Sequence, residues 1–128
     1  MISIRYFTMR FAFLALIATG SGLVATPVQA QVAPTSAEVA AYHGLHAAAH
    51  KGDATQIARL LAAGANPNAT DNHGRTPVHV ATFAAQRAAL RALVKGGANL
   101  ELLENDRYDA VTIAAVNNDE ETLRLLLS

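Results

Sequence analysis

Asp71-Asn72-His73-Gly74-Arg75-Thr76-Pro77-Val78-His79-Val80-Ala81 is the stretch that decides the fold. Thr76 places a hydroxyl where it caps the first N–H groups of a helix. Pro77 follows at the first helical position, where its missing N–H costs nothing. Val78, Ala81 and Thr82 then recur at helical spacing. A turn near Ala84 to Gln86 leads into a second helix through Leu90, Leu93 and Val94. Gly97 ends that helix, because glycine takes the left-handed conformation that a C-terminal cap needs.

Working outward, the same pattern returns every 33 residues. Leu45, Val78 and Val111 share a column, and so do Ala48, Ala81 and Ala114. Ile57, Leu90 and Leu123 form another. Leu60-Leu61, Leu93-Val94 and Leu126-Leu127 form the strongest. Gly64-Ala65-Asn66 aligns with Gly97-Ala98-Asn99, and Asp71 with Glu104. Many columns in one register without a gap mark an internal repeat, in which each unit buries its apolar face against the next.

The segment Asp71–Ala81 resembles the signature of the ankyrin repeat, and Leu60–Ala69 resembles its second helix and the finger that follows. The resemblance runs from about Glu38 to the C-terminus. It implies an all-α, ankyrin-like helical repeat solenoid of about three stacked helix pairs, with projecting fingers, a concave face and an incomplete last unit. The units expected are 38–70, 71–103 and 104–128. The first departs from the pattern, with His43-Gly44 where Thr-Pro is expected. Its upstream Thr35-Ser36-Ala37-Glu38 looks like a capping box, so its first helix is expected to start near Ser36 and bend near Gly44. The third unit carries Arg107 for the turn glycine, Asp109 for Thr and Ala110 for Pro. Its last helix is expected to open with Asn118-Asp119-Glu120-Glu121.

Residues 1–30 read differently. Arg5 and Arg10 precede the apolar run Phe11–Ile17, Thr19 to Gly22 break it, and Val28-Gln29-Ala30 offers small residues for a peptidase. That is the layout of a secretory signal; the apolar run is short of the ~20 residues that cross a bilayer. Cleavage after Ala30, a flexible lead-in over 31–36 and a repeat domain over 37–128 are expected, with a periplasmic or secreted location. Lys plus Arg equal Asp plus Glu at 10 each, so no global field points to nucleic acid or an anionic membrane. The chain has no cysteine, which removes disulfides, thiolate metal sites and thiol nucleophiles.

Little in the repeat region suggests catalysis. Beyond residue 30 only Ser36 and Ser128 remain as serines, and there is neither a glycine-flanked serine elbow nor a phosphate loop. Asp106 with Asp109, and Asp119-Glu120-Glu121, read as a solvated turn and a helix start. No enzymatic role and no cofactor are expected. His46 and His50 have the i, i+4 spacing of two zinc ligands, and His43 could add a third. A small metal-binding protein built on His43, His46 and His50 is therefore the alternative reading. The glutamate that a zinc protease places between such histidines is absent. His46 and His79 also share a repeat column. The resemblance implies that this histidine ties neighbouring units together by local hydrogen bonds.

Tyr42, Phe83 and Tyr108 are the aromatic residues of the region, and none falls in the strongest apolar columns. In ankyrin-like domains such columns belong to the finger and concave surface, and aromatics are enriched at interfaces. The resemblance implies finger contacts from Asn72, His73, Arg75, Asn105, Asp106 and Tyr108. It implies first-helix contacts from His50, Lys51, Phe83, Ala84, Val116 and Asn117. The expected function is a protein–protein interaction module exported from the cytoplasm. Tyr42, His50, Lys51, Asn72, His73, Arg75, Phe83, Asp106, Tyr108 and Asn117 would meet a protein partner. An inhibitor or immunity partner of an exported enzyme is a variant of that reading. No nucleic-acid partner is expected, and no membrane contact after signal cleavage. The bare last helix leaves room for self-association.

Overall fold

The computed structural model describes residues 32–128, and Ala33–Ser128 form one compact unit. The expected leader lies outside the described residues. Those residues carry seven helices and no strand: α1 (Ser36–Ala41), α2 (Gly44–Lys51), α3 (Ala54–Ala62), α4 (Pro77–Phe83), α5 (Arg87–Lys95), α6 (Ala110–Val116) and α7 (Glu120–Leu127). None of these helices is long and apolar enough to cross a membrane.

From α2 onward the helices form antiparallel pairs, α2 with α3, α4 with α5 and α6 with α7. In one layer α4 packs between α2 and α6; in the other α5 packs between α3 and α7. The alanine column explains the close approach in the first layer. Ala48, Ala81 and Ala114 are all buried, and their methyl groups leave room for the neighbouring backbone. Ile57, Leu90 and Leu93 fill the space between layers. The double-apolar column splits, because adjacent residues on a helix cannot face one way. Leu93 and Leu126 are buried, whereas Val94 is 40% exposed and Leu127 68%.

Local signals set the element ends. Thr76 caps α4 by accepting from the His79 amide, with Pro77 behind it. Asp109 caps α6 in the same column, accepting from the Thr112 amide at 2.7 Å. Beyond the end of α5, Gly97 has a φ of +89°. Each turn within a helix pair uses one left-handed residue: Gly52, Ala85 and Asn118, at φ +76°, +54° and +55°.

Three expectations are corrected. The lead-in ends earlier than residue 36, because Thr35 is the N-cap of α1 and Ser36 its first residue. The first helix of the opening unit does not bend near Gly44 but breaks. Tyr42 and His43 are extended, and α2 restarts at Gly44 with a φ of +56°. The last helix does not open at Asn118: that residue makes the left-handed turn and Asp119 is the cap. Its Oδ2 accepts the Thr122 hydroxyl at 2.6 Å.

Candidate partner-binding surface

The loops between helix pairs are hydrogen-bonded fingers. In the first, the Asp71 amide donates to the Arg75 carbonyl at 3.0 Å. Asp71 Oδ1 accepts the amides of His73 and Arg75 at 2.8 and 2.9 Å. The second repeats the design one period later. The Glu104 amide donates to the Tyr108 carbonyl at 3.0 Å, and Glu104 Oε1 accepts the Tyr108 amide at 2.9 Å. The Asn105 amide then donates to the His73 carbonyl at 2.9 Å, joining one finger to the next.

Histidines tie each helix layer to its finger. His46 Nε2 donates to the Arg75 carbonyl at 2.8 Å, and His79 Nε2 to the Leu102 carbonyl at 2.9 Å. His79 Nδ1 meanwhile accepts the Thr76 amide at 2.9 Å, which fixes the neutral tautomer. Burial pushes its imidazole below the usual range, and the bond to the Leu102 carbonyl opposes that only in part. The His43, His46 and His50 reading of a metal site is not met. His46 is committed to a carbonyl, and among the described residues no three His, Asp or Glu side chains could hold a metal ion together.

The expected contact residues divide. Lys51, Asn72, His73, Asp106 and Asn117 are exposed. His50, Phe83 and Tyr108 are half-buried. His50, Phe83 and Val116 occupy equivalent places near the C-terminal ends of α2, α4 and α6 and so share one side of that layer. Val116 is 59% exposed there. Tyr42 is half-buried and its hydroxyl donates to Asp71 Oδ2 at 2.6 Å. Burial, the bond to Asp71 and the charge of Asp71 all push its phenol above the usual range. Its ring lies 5.4 Å from that of His46, tilted by 35°.

Arg75 departs from expectation. It is 1% exposed, with Nη1 at 3.4 Å from Asp71 Oδ2 and 3.5 Å from Glu38 Oε1. A guanidinium so deeply placed is stable only with carboxylates beside it. Burial pushes the Asp71 carboxyl up, but the Tyr42 hydroxyl, the Arg75 and His73 amides and the Arg75 charge bring it below the usual range. Glu38 also pairs with His73 Nε2. Its carboxyl lies below the usual range, first through the Thr35 amide, which Glu38 Oε2 accepts at 2.6 Å. Sequence reasoning had read Glu38 only as half of a capping box. Its repeat column, shared with Asp71 and Glu104, was the available signal for a finger role. A cavity of about 390 Å³ lies between the end of α1 and this finger, lined among others by Glu38, Tyr42, His46, Asp71 and His73. Arg107 was also missed as a surface group; it holds a φ of +69° where the preceding finger has Gly74, and it is exposed.

Helix pairs stacked in two layers, with fingers bonded from unit to unit, define a repeat solenoid that presents a surface. The comparisons make this specific. A family model for ankyrin repeats, in three copies, matches residues 45–128. The chain belongs to the ankyrin-repeat family, whose members are in general protein–protein interaction modules and typically not enzymes. It is similar to the ankyrin repeat domain-containing protein SAT10 of Stachybotrys chartarum, 36% identical over 90 residues, covering 70% of this chain and 5% of that protein. It is also similar to the ankyrin repeat protein YahD of Escherichia coli, 30% identical over 80 residues, covering 62% of this chain and 40% of that protein. B-cell lymphoma 3 protein of Homo sapiens is 43% identical over 72 residues, covering 53% of this chain and 16% of that protein. The chain thus spans less than half the length of each of these relatives.

Proposed function

We propose that this chain is an exported interaction module that binds one protein partner through its fingers and the adjoining side of α2, α4 and α6. The observation that carries the reading is the row His50, Phe83 and Val116. It is one repeat column, half-buried at His50 and Phe83 and ending in a valine 59% exposed. Exposed Lys51, Asn117, Asn72 and Asp106 belong to the same helix ends and fingers and supply a polar rim. An apolar centre with a mixed polar rim suits a protein surface. A polyanion would call for clustered Lys and Arg. The test is site-specific photocrosslinking from position 116 in the native cell, wild type against a Lys51→Ala, Phe83→Ala, Asp106→Ala variant with a native helical spectrum. The partner crosslinked to wild type should be lost from the variant. Equal capture by both would remove this face from consideration.

Export rests on the sequence of residues 1–30. The mature protein should begin at Gln31 and appear in the periplasmic or secreted fraction, which N-terminal sequencing checks. A chain beginning at Met1 in the cytoplasm would overturn it. Self-association through α7 has its own support, because Leu127 in its last turn is 68% exposed. Sedimentation should then show a dimer that Leu127→Glu dissociates; a wild-type monomer at all concentrations would end that reading.

A further inference from the structure

We infer that the outer face of α3, α5 and α7 is a basic surface that docks peripherally on an anionic lipid bilayer. It belongs to the helix layer opposite the proposed partner face and stands apart from that reading.

The repeat domain as a whole is slightly acidic, since Arg5 and Arg10 precede it and every Asp and Glu lies within it. Cations nevertheless gather on one layer. Helices α3 and α5 contain Arg59, Arg87, Arg91 and Lys95 and no acidic residue. Arg87 is taken up by Asp119 and Glu121, at 2.8 and 3.0 Å. Arg59, Arg91 and Lys95 are exposed and pair with no carboxylate among the described residues. Arg124 of α7 lies 3.7 Å from Glu120 with both side chains largely in solvent, a pair that contributes little. Apart from Glu120 and Glu121 in the first turn of α7, the acidic residues stand in α1, the fingers, the loops and the turns. The balanced totals of the sequence, from which no membrane contact is expected, hide this separation.

Stacking turns the cations into a row. Arg91 and Arg124 share one repeat column, and Arg59 stands one position after the equivalent place on α3. Helix α5 packs between α3 and α7. Neighbouring packed helices run about 8–10 Å apart, so the three arginine positions cross the layer side by side. Lys95 is one turn beyond Arg91 on the same face of α5. Apolar side chains share the stripe. Val94, three residues after Arg91, is 40% exposed, and Leu127, three residues after Arg124, is 68% exposed. Exposed Ala58, Ala62 and Ala88 leave the remainder of the face with short side chains.

That mixture selects the occupant. Anionic headgroups attract each Arg and Lys held at the bilayer surface. The apolar boundary just beneath them receives Val94 and Leu127, and the long stems of Arg and Lys reach from that boundary to the headgroups. Nucleic acid offers phosphates but nothing to Val94 and Leu127, and α3, α5 and α7 carry no aromatic residue on which a base could stack. The Trp and Tyr anchors that centre many protein interfaces are absent from these helices as well. None of the helices is long and apolar enough to cross a membrane, so their contact is with its surface.

Co-sedimentation with vesicles tests this. The protein used is residues 31–128, which hold the whole compact unit Ala33–Ser128 and lack the apolar run Phe11–Ile17. Vesicles of equal parts phosphatidylglycerol and phosphatidylcholine should bind it, and vesicles of phosphatidylcholine alone should not. Binding should fall as salt rises from about 0.05 to about 0.5 M, because the Debye length shrinks. Arg91→Gln should weaken binding about fivefold, and Arg91→Gln with Lys95→Gln about thirtyfold. Arg107→Gln removes the same charge from a finger and should leave binding unchanged. Glu120→Gln, which removes the carboxylate beside Arg124, should tighten it. Every altered side chain is exposed, and a helical spectrum matching wild type checks each fold. Absence of binding to the anionic vesicles, equal binding to both kinds, or equal losses from Arg91→Gln and Arg107→Gln would overturn the inference. Tighter binding to duplex DNA or polyglutamate than to the anionic vesicles would give the face another occupant and overturn the lipid one. Crosslinking from position 116 reports on the other layer, so the two readings fail separately.

Discussion

Helices α2 and α4 occupy the same place in successive repeats, yet α4 buries every residue but Phe83 whereas α2 buries only Leu45, Ala48 and Ala49. The difference is position in the stack. Helix α4 has a neighbour in the layer on both sides, α2 and α6, and α2 has one. Their caps differ likewise. Thr76 and His79 form a reciprocal box at α4, while His43 at α2 makes no side-chain cap bond. The middle unit is therefore where burial and local hydrogen bonding reinforce each other, and the ends are where they part. Stability in a stack of this kind is the sum of unit and interface contributions, so interior units hold the most.

The strongest way to break the comparison is to remove the same leucine from an interior and an end helix. Leu90→Ala should destabilise by about 2–5 kcal/mol, because the side chain is fully buried between layers. Leu123→Ala, one period later and half-buried, should lose about half as much area-dependent stability. Urea unfolding of both variants gives the ratio. Equal losses would show that the ends are packed as firmly as the centre.

The next effect comes from the histidine column. His79→Ala strands the Thr76 amide and the Leu102 carbonyl and should cost about 2–3 kcal/mol. His46→Ala leaves only the Arg75 carbonyl short and should cost about 1 kcal/mol. The same residue gives a pH signature. The folded value of His79 is depressed, so the unfolded chain takes up its proton first as pH falls. Its contribution is thus present above about pH 6.5 and lost as pH drops through the folded value. Melting temperature should fall between about pH 7.5 and 5.5, and His79→Gln should flatten that slope. A slope unchanged by the substitution would assign it elsewhere.

The smallest effect sharpens the picture of helix ends. Gly97→Val should cost about 1 kcal/mol or more, since a β-branched residue resists a positive φ. A Cβ at Gly97 meets nothing within 4 Å, so the loss would be conformational alone. At Gly52 an added Cβ would meet Gln86, whose amide Nε2 donates to the His50 carbonyl at 3.0 Å, so Gly52→Val should cost more than Gly97→Val. Differential scanning calorimetry of the two variants ranks them.

Much of this was readable from residue order. Thr76, Pro77 and Gly97 act within a turn of where they stand, and so do Thr35 and Glu38 in the capping box. The tie made by His46 and His79 was implied by the resemblance to the ankyrin repeat, and their shared column marked the pair. The break between α1 and α2 was less legible, because Gly44 is compatible with both a bent helix and a restart. Arg75 was misread because finger residues are usually exposed. Its burial depends on Glu38, 37 positions earlier, arriving beside it.

The sequence by itself determined the repeat, its period and the caps and turns of the middle unit, because caps, left-handed turns and apolar spacing are interactions among residues a few positions apart. Only the tertiary structure decided which side of each column faces solvent, which helix stands outside the layers and which charged groups lie within. Those outcomes depend on the meeting of groups a full period apart, where desolvation must be offset by a partner that local spacing does not name.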